Sequence, residues 1–96
     1  MDNNTRNAEL DQALDTLHLD AAVAIEWKTA CRWFNEQPLN QGSYRQIMHR
    51  WAERCRSTYK HHEVPELRMI LGREKLTLLR DTFLDESPVV SLADFA

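Results

Sequence analysis

Only two glycines and three prolines punctuate these 96 residues. The many turns of a β-rich fold draw on residues of that kind, so a chain this poor in them is expected to build helices rather than a series of short strands. Length sets the second bound. Ninety-six residues make one domain, near the lower limit at which burial offsets chain entropy, and a core that small is readily completed by a second subunit. The reading is a single α-helical domain over 1–96, with 1–5 as a flexible N-terminus.

Leu10, Ala13, Leu14 and Leu17 recur at helical spacing while Glu9, Asp11, Gln12 and Asp15 take the other face, which predicts a helix over 6–17. Asp20, an N-cap type, precedes Ala21-Ala22-Val23 and predicts a second helix running to Asn35, short of the break that Pro38 imposes. Val23, Trp27, Ala30, Cys31 and Phe34 stripe that helix, and Ala22, Ile25 and Trp33 widen the stripe. A helix apolar over so much of its girth has to be covered on two sides.

The polar stretch 36–42 reads as a loop, and Ser43 with Gln46 forms a capping box that opens a third helix over 43–61. Tyr44, Ile47, Met48, Trp51, Ala52, Cys55 and Tyr59 make its inner face; Arg45, Arg50, Glu53 and Arg54 are among those left outside. Pro65 suits the first position of a fourth helix over 65–84, with a break or kink near Gly72 that would make it two. Residues 87–96 then form an apolar C-terminal arm carrying Val89, Val90, Leu92 and Phe95. The expected architecture is all-α: a small antiparallel bundle of four or five helices with that arm, dimeric.

Charge is distributed in blocks. Residues 1–42 carry net −4, residues 43–80 net +5 and residues 81–96 net −4, for a total of −3. Acidic early helices lying against the basic third and fourth ones, within a chain or across a dimer, are the plainest use of that pattern.

Little here supports catalysis. No glycine-rich phosphate loop, nucleophile elbow or HExxH motif is present. Cys31 and Cys55 fall on apolar stripes, where a free thiol behaves as a small hydrophobe, and no His/Cys pair has zinc-finger spacing. His61 and His62 are expected at a helix C-terminus, where cationic side chains meet the last carbonyls. The carboxylate pairs at helical spacing read as solvated surface. No enzyme activity, cofactor or metal is expected. The first residues lack a signal peptide's apolar run and no stretch is long enough to span a membrane, so the expected compartment is the cytoplasm.

What remains is apolar surplus: three Trp, three Phe and two Tyr, residue types enriched at interaction hot spots. The expected function is that of a small regulatory or adaptor protein acting by protein–protein binding, for example an anti-activator or inhibitor of a transcription factor. Its interface, to a second copy or a foreign protein, is expected at Ile25, Trp33, Phe34, Val89, Val90, Leu92 and Phe95. The alternative is a small dimeric DNA-binding regulator reading through Arg45, His49, Arg50, Arg54 and Arg56, with the helices on either side of the 36–42 loop as a helix-turn-helix. A sequence pI near 5.7 and a long, proline-containing turn count against it.

Overall fold

The computed structural model describes residues 3–83. In place of the expected all-α bundle it has three helices and a three-stranded antiparallel sheet. The order is α1 (Asn3–Asp20), β1 (Ala22–Glu26), α2 (Trp27–Phe34), α3 (Gln41–Ser57), β2 (Leu67–Leu71) and β3 (Lys75–Arg80). The expected C-terminal arm lies outside the described residues.

The first helix forms where its periodicity places it and buries Leu10, Leu14 and Leu17. It ends when the Ala21 N–H donates to the Leu17 carbonyl at 2.9 Å and Ala21 turns left-handed at φ 67°. An alanine in that region costs about 1–2 kcal/mol, and the turn throws the chain into a strand. The helix expected over 21–35 is therefore two elements. Val23 and Ile25 alternate with Ala22, Ala24 and Glu26 across β1 and pair with Leu78 and Leu76 of β3, and only from Trp27 does a helical period begin. Reading both periods as one cylinder produced the helix that looked apolar on too many sides.

The second helix buries Ala30 and Trp33 and stops at Asn35, whose left-handed backbone serves as its C-cap. The third begins two residues before the expected box: Asn40 is the N-cap, its side chain accepting the Ser43 N–H at 3.0 Å. It ends at Ser57, and Ile47, Trp51 and Cys55 are its buried stripe.

The helix expected over 65–84 is a hairpin. Its chemistry turns on Gly72, whose N–H donates to the Lys75 carbonyl at 3.1 Å. A Cβ there would stand 2.8 Å from that oxygen, closer than such atoms approach, so the supposed kink is a chain reversal. Leu67, Met69 and Leu71 of β2 then fall opposite Arg80, Leu78 and Leu76 of β3. Strand order is β1-β3-β2, which sets β3 at the centre with Leu76 and Leu78 wholly buried. One sheet face, with Ile25, Leu67, Leu76 and Leu78, closes a core shared with the leucines of α1, Trp33 and the α3 stripe. Each such buried side chain contributes about 1.5–3 kcal/mol.

Candidate functional site

Three zones carry polar or apolar groups in arrangements that could meet a ligand or partner. The first joins α1 to α3. Asp11 receives Arg50 through two parallel bonds of 2.7 and 2.8 Å, and the next rung sets Asp15 against Arg54. Both rungs join residues thirty-nine positions apart, so the two helices run parallel with a fixed offset. The acidic face of the first helix thus lies on the basic face of the third, within one chain. Tyr59 also donates to Asp15. Desolvation alone would raise the Asp15 carboxyl, but the bonds from Tyr59 and Arg54 outweigh it and hold the group below the ordinary carboxylate value. Burial, reinforced by the bond to Asp15, pushes the Tyr59 phenol up to about 12.

Below that ladder the aromatic rings close the helix ends. His18 stacks on Tyr59 with centroids 3.9 Å apart, His61 stacks on Phe83 at the same separation, and the two Nε2 atoms meet at 3.3 Å. One ring donates there and the other accepts. His61, expected to cap its own helix, stands beyond the helix end and faces α1 instead. Among the described residues no three His, Cys, Asp or Glu side chains converge as metal ligands. The buried thiol of Cys55 is pushed up to about 11 by desolvation, which leaves it protonated and unreactive.

The second zone is the open edge of β2. Ile70 and Leu71 are 54% and 61% exposed, and β2 pairs on one side only, with β3. Leu71 continues into a shallow groove of about 390 Å³ whose walls are Trp27, Cys31, Pro38 and Tyr44. Four segments build it: β2, α2, the loop that follows α2, and the first turn of α3. The Trp27 indole is fixed by donating to the Gly72 carbonyl at 2.8 Å, so the hairpin turn positions the groove wall. Nothing in a linear reading links Trp27 to Leu71. The signal available was the Val23–Ile25 alternation, which would have raised a sheet and hence an edge.

The third zone is a cleft of about 390 Å³ where α1 and α3 part above the ladder, rimmed by Arg6, Arg45 and His49 and floored by Leu10 and Phe34.

Of the residues singled out from sequence as an interface, Ile25 and Trp33 are core, each 6% exposed. Trp33 donates to Glu9 at 2.6 Å. Phe34 lies half-buried in the third zone, and Val89, Val90, Leu92 and Phe95 lie outside the described residues. Of the five basic residues, Arg50 and Arg54 are spent on the ladder, Arg45 and His49 rim the cleft, and Arg56 is exposed elsewhere on the helix. No helix among the described residues is long and apolar enough to cross a membrane. No protein-family model matches the chain, and neither a curated protein nor a solved structure matches it.

Proposed function

We propose that this chain is a non-enzymatic, cytoplasmic protein-binding module of regulatory or adaptor type, and that its working surface is the β2 edge with the adjoining groove. The observation that carries the reading is the exposure of Ile70 and Leu71 on a strand paired along one edge only. Edges of that kind are ordinarily blunted by charge, proline or a bulge, whereas the sequence of β2, Leu-Arg-Met-Ile-Leu, has Arg68 alone as a guard. An extended segment of another polypeptide gains main-chain hydrogen bonds along such an edge and side-chain burial in the groove.

The occupant is a second copy of the chain. Two β2 strands set antiparallel about Met69 place Leu67 against Leu71 and Met69 against its mate on one face, and Arg68 against Ile70 on the other. No like charges are opposed in that register, and one symmetric contact buries both exposed side chains from each copy. Light scattering over a concentration series tests it: the unmodified chain is expected to reach a dimer mass, and Leu71→Lys and Ile70→Lys to remain monomeric with unchanged circular dichroism. A monomer mass throughout, or variants that dimerise as well as the parent, overturns the reading.

A further inference from the structure

The cleft above the ladder has a register of its own. The offset that sets Asp11 against Arg50 and Asp15 against Arg54 sets Asn7 against Gln46 one turn earlier, and both line the cleft. That rung has no carboxylate. Basic side chains nevertheless stand around it: the Arg6 guanidinium from the first helix, and the Arg45 guanidinium and the His49 imidazole from the third. Among the described residues Arg6 reaches no carboxylate: it donates to the neutral Asn7 side-chain oxygen at 3.4 Å and leans over the Phe34 ring 5.8 Å from its centroid. Arg45 makes no hydrogen bond or ion pair among the described residues, and the one acid on the cleft wall, Glu53, stands at the far side of Arg50 along the helix.

We infer that this cleft binds a small organic anion, a carboxylate or phosphate ester carried on an apolar or aromatic body, whose charge supplies the rung that Asn7 leaves neutral. Two arginines from different helices present guanidinium edges to its oxygens, the geometry in which charge-assisted bonds are strongest. Leu10, buried, and Phe34, half-buried, give the body an apolar floor. A free inorganic anion would leave that floor wet, and a duplex backbone needs a row of cations, whereas Arg50 and Arg54 are already held by carboxylates. The site is separate from the β2 edge and stands or falls without it.

The test is a titration of the full chain followed by amide NMR shifts, with phenyl phosphate, benzoate and inorganic phosphate as probes at one ionic strength. Phenyl phosphate or benzoate is expected to shift amides around Arg6, Arg45 and His49. Arg45→Gln, an exposed position, is expected to weaken that binding by about tenfold, and Arg56→Gln on the same helix to leave it unchanged. Asn7→Asp is expected to abolish it by supplying the missing carboxylate from within. Several outcomes overturn the inference: no shift with either organic probe, equal binding of inorganic phosphate, shifts that extend to Arg56, or a short DNA duplex binding through the same residues more tightly than phenyl phosphate.

Discussion

The α1–α3 seam and the β2–β3 hairpin differ in how completely they satisfy themselves. At the seam, apolar stripes meet beneath a ladder whose acids and arginines are partnered, and Trp51, 1% exposed, donates its indole N–H to the Pro65 carbonyl at 3.1 Å. The hairpin has one strand buried and one strand open, with apolar side chains left in water at Ile70 and Leu71. One region is satisfied within the chain, and the other leaves apolar side chains open along its edge.

The strongest way to break that contrast is at the seam. Trp51→Ala removes the largest fully buried side chain and is expected to cost about 3–5 kcal/mol, read as a collapse of the urea midpoint. Arg54→Met comes next. It leaves Asp15 and the Tyr59 hydroxyl without their shared cation and is expected to cost about 2–3 kcal/mol; a double-mutant cycle with Asp15→Asn should recover part of that loss as coupling.

The hairpin responds differently. Gly72→Ala forces a Cβ onto the Lys75 carbonyl and is expected to cost about 1–2 kcal/mol. Hydrogen exchange should show the loss concentrated in β2 and the groove, with the seam still protected and dimerisation weakened. Uniform loss of protection would mean that the two regions are one cooperative unit and that the contrast is false.

The smallest effect is in pH. The Tyr59 phenol, pushed up to about 12 against an ordinary value of 10.0, stays protonated in the folded chain after the unfolded chain has ionised. Stability contributed by that group is therefore whole below pH 10 and is lost as pH rises toward 12. Asp15, held below its ordinary 3.8, contributes stability that is present above that value and fades as pH falls through the native one. Tyr59→Phe should flatten the alkaline limb and shorten the acid one, checked by denaturation midpoints across the pH range.

Both long helices were legible because each repeats its period through several turns, from Leu10 to Leu17 and from Tyr44 to Cys55. The strands were not, and the reason is physical. Leu, Met, Arg and Lys make up most of β2 and β3, residues with good helix propensity, and only Ile70 and Thr77 among them are β-branched. Pairing with neighbours decided their state, and a stretch of five or six residues cannot reveal that alone. The scarcity of glycine misled for a similar reason: a hairpin needs one tight turn, and Gly72 is half of the chain's supply. Of the three zones, the ladder was half legible, as acidic and basic faces without a register. The groove and the cleft were hidden, since each gathers residues from three or more segments.

The strand order β1-β3-β2 has a consequence for how the molecule is made. During synthesis the residues of β1 leave the ribosome before those of β3, yet among the described residues β3 is their one strand neighbour, about fifty positions later. Until Leu76 and Leu78 emerge, Val23 and Ile25 have no sheet to join, and β2 has nothing to fold back upon. The nascent chain must therefore wait with two sticky segments in hand, and a transcript cut short anywhere before Arg80 yields a helical pair with an unclosed flank, a natural target for chaperones and proteases.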